Sequence, residues 1–193
     1  KSLIDAALNL FKEQGLDFDV RAVSACVSEF FSVRLQALAK EQSVSAESIS
    51  AIAAIGIIDP REFFARVQAF DSARTREPQL FEDLAIAFAR ASHLTDASLG
   101  TDVNVSILTP AEQQLFTACS NGRDNVEKAL SNGEYARALA SLAELREPID
   151  QFFNDVRIMD DDTEIRNNRF RLLNTFTSVF SKVADIAALT KKK

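Results

Sequence analysis

The sequence predicts an all-α fold, a bundle of about eight or nine helices. Glycine and proline, which most often interrupt regular structure, number only five and four in 193 residues. Ala, Leu, Glu and Arg are abundant, which favours long helices over a turn-rich β architecture. Apolar residues make up 47% of the chain and recur at three- and four-residue spacing, as on the buried side of a helix.

The first three helices are bounded by residues with clear end preferences. A helix predicted at residues 2–14 ends at Gly15, because glycine readily adopts the positive φ of a C-terminal cap. A longer amphipathic helix is predicted at residues 20–40. Ser45 is a suitable N-cap for a short third helix that ends at Gly56.

Two prolines mark the starts of the next two helices. Asp59 followed by Pro60 has the pattern of an N-cap and a first helical position. Pro78 opens a fifth helix that extends to His93.

A long polar loop is predicted next. Residues 95–109 are rich in Ser, Thr, Asp, Asn and Gly and show no clear period. The loop separates an N-terminal helical half at 1–94 from a C-terminal helical half at 110–193. The two halves are interpreted as one domain or as two packed subdomains.

The C-terminal half begins with a strong local signal. Residues 109–112 read Thr-Pro-Ala-Glu, a capping box with proline at the first helical position. Asn121-Gly122 is a candidate interruption of this helix, and Asn132-Gly133 is its predicted end. The following helix is predicted to break at Pro148.

The last helix is predicted to be the longest. Asp162 or Thr163 is its expected N-cap, and an apolar stripe from Ile165 to Ile186 holds one face for about six turns. The run at 160–162 resembles a metal-binding sequence. It is interpreted as helix capping, because the glycine and distant glutamate of a calcium loop are absent.

The charge distribution argues against a general nucleic-acid-binding protein. The net charge is −6, and residues 1–120 contain 10 Lys and Arg against 16 Asp and Glu. Residues 121–193 contain 12 of each sign. An RNA-binding role therefore requires a focused basic patch or help from neighbouring domains. The terminal residues 191–193, all lysine, are interpreted as a solvated tail, with an RNA backbone contact as the alternative.

Several protein classes are not indicated. The chain has neither a signal sequence nor an uncharged apolar run of roughly 18 to 20 residues, so we expect a cytoplasmic protein. It begins at Lys1 within a helical pattern, so we expect a piece of a longer protein. Cys26 and Cys119 are interpreted as core residues. Without a phosphate-binding loop or a nucleophile with partners, the sequence predicts no catalytic site, metal site or cofactor in this domain.

One string of residues resembles a known family. Residues 142–156 read L-A-E-L-R-E-P-I-D-Q-F-F-N-D-V, and Met159, I-R-N-N-R at 165–169 and V-A-D-I at 183–186 follow. Order and spacing resemble the C-terminal end of the β subunit of bacterial two-subunit glycyl-tRNA synthetase. The resemblance is clear at residues 135–189 and fainter upstream.

The sequence departs from that family pattern at several positions. Asn154 replaces an acidic residue, Phe170 replaces a leucine, and Arg157 lies in a usually apolar stretch. Ala89-Arg90 and His93 stand where the family tends to have Lys-Arg and then Asn.

The resemblance implies a DALR-type anticodon-binding fold, related to the anticodon-binding domain of arginyl-tRNA synthetase. It implies three partners: the anticodon stem-loop of glycine tRNA, the rest of the β subunit, and the α subunit. It implies neither a membrane nor DNA as a partner. Glycine attachment, with ATP and Mg, would occur at the catalytic α subunit rather than in this domain.

Arginine is the main candidate for RNA contact, because a guanidinium can hold phosphates and stack on unpaired bases. Arg34 and Arg169 fall on apolar helix faces, where a guanidinium must be paired or reach solvent. The expected structural partner of Arg169 is Asp150 or a residue of 160–162. The candidate RNA-binding residues are Arg34, Arg66, Arg74, Arg90, His93, Arg157, Arg169 and Arg171.

Two other interpretations remain open. The bundle could be a scaffold that packs against the rest of the synthetase with little RNA contact, which the acidic first half favours. A patch that joins Arg34, Arg66, Arg90 and Arg157 would favour RNA binding, and their dispersal would favour the scaffold. The homologous domain of arginyl-tRNA synthetase fits the general fold but not the landmarks at 152–153 and 183–186.

Overall fold

The structure, a computed structural model, describes residues 2–189, and within this range it contains nine α-helices and no strand. The all-α prediction is confirmed. The helices are α1 (Ser2–Glu13), α2 (Val20–Glu41), α3 (Ala46–Ala53), α4 (Pro60–Arg76), α5 (Pro78–Leu94), α6 (Pro110–Ser131), α7 (Tyr135–Ala143), α8 (Arg146–Asp155) and α9 (Thr163–Ser181). The lysine tail at 191–193 lies outside the described residues.

Four of the predicted helix starts are confirmed by side-chain caps. Thr109 accepts a hydrogen bond from the Glu112 N–H while the Glu112 carboxylate accepts one from the Thr109 N–H, so both bonds of the capping box are present. Ser45 and Asp59 cap α3 and α4. Asp162, rather than Thr163, is the N-cap of α9.

Two predicted interruptions are wrong. α6 is continuous through Asn121-Gly122, and Gly122 is buried within it. A β-carbon at this position would lie 3.4 Å from the Leu145 side chain. The break predicted at Pro148 comes earlier, between Ala143 and Arg146. Pro148 lies in the first turn of α8, where a missing N–H removes no helical hydrogen bond.

The last apolar stripe is also shorter as a helix than predicted. α9 ends at Ser181. Val183 and Ile186 still reach the core, but from the turn and the short 3₁₀ segment that follow the helix.

α9 is the central helix of the bundle. It packs against α5 and α6, and the ring of Phe180 lies 5.0 Å from that of Phe176 and 5.4 Å from that of Phe88. α4 contacts α7, and α5 contacts α8. Helices from both sides of the polar loop therefore contribute to one hydrophobic core.

The polar loop is fixed to α9 by its backbone. The side-chain amide of Asn168 accepts a bond from the N–H of Asn104 at 2.7 Å and donates to its C=O at 3.0 Å. Asn174 donates to the C=O groups of Asp96 and Gly100, both at 2.8 Å. Buried side chains of α9 thus satisfy these four backbone groups of the loop.

α2 differs from the other long helices. Among the described helices it alone is long and apolar enough, by length and composition, to cross a membrane. Two of its residues, Leu35 and Ala39, are buried in the bundle. Cys26 of this helix is exposed, so its interpretation as a core residue is wrong. Cys119 of α6 is fully buried as predicted, and burial raises the pKa of its thiol to about 12.

Candidate RNA-binding surface

The eight predicted RNA-binding residues form two groups. In the first group the side chain is held by hydrogen bonds or ion pairs within the protein, and in the second it is more exposed to solvent. The side chains held by contacts within the protein are those of Arg66, Arg74, Arg169 and Arg171. The more exposed ones are those of Arg34, Arg90, His93 and Arg157.

Of the eight residues, Arg169 makes the most extensive hydrogen bonds within the protein. Its Nε donates to Oε1 of Glu112 at 2.5 Å, and its Nη1 donates to Oδ2 of Asp160 at 2.7 Å and to the C=O of Arg157 at 2.8 Å. The Arg169 and Glu112 side chains are only 9% and 3% exposed. The predicted pairing with the run at 160–162 is therefore found at Asp160, whereas Asp150 lies 3.7 Å from Arg146.

The electrostatics of this network favour the charged forms. Burial alone would raise the pKa of Glu112, but hydrogen bonds from Arg169 and Thr109 hold that pKa below its ordinary value. Burial would likewise lower the pKa of Arg169, and bonds to Glu112 and Asp160 raise it instead. Arg169 thus joins α9 to the start of α6 and to the turn before α9.

The Arg66 side chain is also held by hydrogen bonds within the protein. Its Nε and Nη2 donate to Oε1 of Glu62 at 3.0 and 2.7 Å, and its Nη1 donates to the C=O of Lys182 at 2.9 Å. The guanidinium lies 4.9 Å from the centre of the Tyr135 ring, and the side chain is 10% exposed. A surface patch that joins Arg34, Arg66, Arg90 and Arg157 is therefore not formed.

The side chains of Arg74 and Arg171 make fewer contacts within the protein. Arg74 donates to the Ser45 hydroxyl at 3.2 Å and lies 3.5 Å from the Glu47 carboxylate. Arg171 donates to the C=O of Leu99 at 3.3 Å. Both side chains link their helix to a neighbouring segment.

Arg157 lies beyond the end of α8 on the surface. Its side chain is exposed, and its Nη2 is 3.7 Å from the carboxylate of Asp161, which is also exposed. Such a solvated pair constrains the side chain weakly.

Arg90 has the most distinctive environment. Its guanidinium carbon lies 4.0 Å from the centre of the Phe153 ring, which joins α5 to α8. Phe153 is half-buried, and its ring meets that of the fully buried Phe152 edge-on at 5.7 Å. The Arg90 side chain is exposed, and within residues 2–189 its contact is the Phe153 ring, with no hydrogen bond or ion pair. Exposed His93 follows one turn later on the same helix.

An open cleft of about 320 Å³ lies between α5 and α8 beside this stack. Its lining combines apolar Ile86 with the exposed amide of Asn154. Arg146 crosses the cleft to Asp83, with an Nη2 to Oδ2 distance of 2.6 Å. The lining residues are Asp83, Ile86, Ala87, Arg90, Arg146, Asp150, Phe153 and Asn154.

The cleft suits a planar ligand with a polar edge. A guanidinium held flat on an aromatic ring offers its other face for stacking, and its N–H groups for hydrogen bonds. Unpaired nucleobases are recognised by this combination of stacking and edge contacts. Within the described range, no group of three or more His, Cys, Asp and Glu side chains is arranged to hold a metal ion.

A second arginine–phenylalanine stack lies on α2. The guanidinium carbon of Arg34 is 3.6 Å from the centre of the Phe30 ring, and both side chains are exposed. α2 packs against α1, α3 and α4, whereas the Arg90 stack is formed by α5 and α8. The two stacks therefore belong to different parts of the bundle.

Sequence reasoning missed Phe153, Asp83 and Arg146. Most of the 15 phenylalanines are expected in the core from the sequence, and nothing in the spacing of the chain predicts that α5 and α8 lie side by side. The F-F pair at 152–153 was noticed as a family landmark. The structure shows that the first ring of the pair is buried and the second supports Arg90.

Comparison with known proteins adds an independent observation. Residues 84–190 match the family described as DALR anticodon binding domain. This segment contains Arg90, His93 and Phe153, and it excludes Arg34. The cleft between α5 and α8 thus lies almost wholly within the matched region.

Several curated proteins are similar over nearly the whole chain. The glycine–tRNA ligase β subunit of Desulforudis audaxviator is 34% identical over 173 residues, which cover 89% of this chain and 25% of that protein. The β subunits of Syntrophus aciditrophicus and Magnetococcus marinus are 32% and 34% identical, with 97% and 98% of this chain covered against 27% and 28% of theirs. The chain therefore spans about a quarter of the length of these relatives.

Proposed function

Because the chain belongs to the DALR anticodon-binding domain family, we propose that it recognises the anticodon stem-loop of glycine tRNA through the cleft between α5 and α8. In this proposal it serves a glycyl-tRNA synthetase β subunit. It supplies binding energy and specificity, and ATP-dependent attachment of glycine takes place at a site outside these residues, on the α subunit.

The observation that carries the proposal is the Arg90–Phe153 stack. An anticodon base that leaves its own stack needs a flat partner, and base stacking contributes about 1–3 kcal/mol per base. Phe153 holds the Arg90 guanidinium in place, so less side-chain freedom is lost when a base stacks on it. His93, one turn away, can contact the same nucleotide or its neighbour.

The charges around the cleft favour base recognition over broad phosphate binding. Arg146 is paired with Asp83 and its Nε lies 3.7 Å from Oδ2 of Asp150, so Arg90 is the cation of the lining that is left for RNA. Polar Asn154 lies in the same lining, and His93 lies one turn further along α5. Each phosphate that a protein neutralises on a single strand contributes about 0.7 to the slope of log affinity against log salt. We therefore expect a shallow salt dependence together with a clear dependence on the anticodon sequence.

A second candidate function is a scaffold within the synthetase. It is favoured by the dispersal of the candidate arginines and by the exposed apolar side chains of α1 and α2. The two functions use different surfaces and are compatible with each other.

The test is a binding titration with glycine tRNA and with an otherwise identical tRNA whose anticodon is replaced. The expected result is tighter binding of the native tRNA, and a loss of about 5- to 150-fold for Arg90→Ala, equivalent to 1–3 kcal/mol. Arg137→Ala is the matched control, since Arg137 is 63% exposed on α7 and, among the described residues, pairs with Glu134 alone. Circular dichroism confirms that each variant is folded.

Equal binding of the two tRNAs, where the full synthetase discriminates between them, would contradict anticodon recognition by this domain. Equal effects of the two arginine substitutions would contradict the cleft as the site, even if discrimination is observed.

A further inference from the structure

The first two helices expose an unusual amount of apolar surface. We call residues 2–41 the α1–α2 arm. Of the twelve large apolar side chains that are exposed in the described part of the chain, eight belong to the arm. They include Leu3, Leu10 and Phe11 of α1, and Phe30 and Val33 of α2.

The arm also forms an open apolar groove of about 540 Å³. Ile4, Leu8 and Phe11 of α1 line one side, and Val23 and Val27 of α2 line the other. Asp17 is the only charged residue in the lining. α1 packs mainly against α2, so the main bundle leaves this groove uncovered.

Such a surface is costly in water and typical of an interface. Burial of apolar area stabilises a protein by about 25 cal/mol per Å², and this stabilisation is lost when the area stays in solvent. Soluble monomers rarely expose contiguous apolar patches larger than a few hundred Å². Residues 2–41 carry four Lys and Arg against six Asp and Glu, so the arm offers no basic surface for nucleic acid. Its occupant is therefore expected to be apolar.

The length of the relatives points to one occupant, and this inference rests on the proposed place of the chain in a β subunit. They are about four times as long as the aligned region, and alignments that cover 97% and 98% of this chain include the arm. A surface on the same polypeptide has a high effective concentration, in the millimolar range for short connections, which favours it over a separate molecule. We propose that the α1–α2 arm docks onto an apolar surface of the remaining part of the same β subunit.

The test measures access to the arm in the full-length β subunit. Leu10→Cys and Met159→Cys are made separately, because both side chains are 58% exposed in the domain and only Leu10 lies in the arm. Each cysteine is labelled with a thiol reagent under native conditions, and the modified peptide is quantified by mass spectrometry. Docking predicts that Leu10→Cys reacts about ten-fold or more slowly than Met159→Cys, and that the two rates converge in denaturant.

Equal native rates would overturn the proposal. Slow labelling that disappears on dilution of the β subunit would also overturn it, because the occupant would then be a second copy. Slow labelling that appears only after the α subunit is added would assign the arm to the subunit interface instead. None of these outcomes depends on tRNA, so the result is separate from the test of anticodon recognition.

Discussion

The helices α9 and α2 differ in what covers their apolar faces. α9 has nine buried residues among its 19, including the charged Arg169, and neighbouring helices and the polar loop surround it. α2 is longer, with 22 residues, yet only Leu35 and Ala39 are buried. The contrast indicates that substitutions around α9 will change the stability of the domain. Substitutions in the α1–α2 arm should change what it associates with.

The largest effect is expected at Arg169. Arg169→Met leaves the buried Glu112 carboxylate without its cation, and breaking a buried pair in this way costs about 3–5 kcal/mol. Arg137→Met removes a solvated pair and should cost less than about 1 kcal/mol. Urea unfolding of the two variants measures the difference. Equal, small losses would contradict the central role assigned to α9.

The same network predicts an acid dependence of stability. The folded-state pKa of Glu112 is lowered, so the stability that its charge contributes is present above its ordinary pKa of 4.5 and is lost as the pH falls below that value. The difference in free energy of unfolding between the wild type and Arg169→Met should therefore shrink between pH 7 and pH 3. A difference that stays constant over this range would contradict the charge pairing.

A smaller effect is expected where α9 holds the loop. Asn168→Ala removes both bonds to the Asn104 backbone, and leaving such groups unpaired costs about 1–3 kcal/mol. Asn167→Ala, at the adjacent and less buried position, keeps the helix propensity change the same. Amide hydrogen exchange of residues 95–108 should accelerate in the first variant and not in the second.

Gly122→Ala is expected to stabilise the domain slightly. The new methyl group would meet Leu145 at 3.4 Å, an ordinary contact, and alanine is favoured over glycine in a helix interior by about 0.8–1.0 kcal/mol. A rise in Tm checks this sign. A fall would show that Gly122 and the Leu145 side chain are too tightly packed for a methyl group.

In the α1–α2 arm the expected effect on stability is close to zero. Leu3→Ser changes a highly exposed side chain, so the free energy of unfolding should stay within about 0.5 kcal/mol of the wild type. A large loss would show that the arm is already packed in the isolated domain.

The sequence predicts best what depends on neighbours along the chain. Helix starts at Ser45, Asp59 and Thr109 follow from capping chemistry within four residues, and all three are confirmed. The DALR-type family implied by the resemblance at residues 135–189 is confirmed by the family match at residues 84–190, and the similar curated proteins are glycine–tRNA ligase β subunits.

Features that depend on distant residues could not be predicted. The packing at Gly122 depends on Leu145, and Cys26 is exposed because its face of α2 is uncovered. Arg169 pairs with Glu112, which lies 57 residues earlier in the chain. The same holds for the candidate site. Arg90 and His93 share a helix face and are visible in the sequence, whereas the ring beneath Arg90 comes from α8.

Cross-linking from the anticodon itself tests the central claim most directly. Glycine tRNA with 4-thiouridine in its anticodon loop is bound to the full β subunit, irradiated, and the attached peptides are identified by mass spectrometry. The cleft predicts attachment to peptides of α5 and α8 that contain Arg90 and Phe153. Attachment to α2 or α4 instead, with α5 and α8 unmodified, would contradict anticodon recognition at this surface.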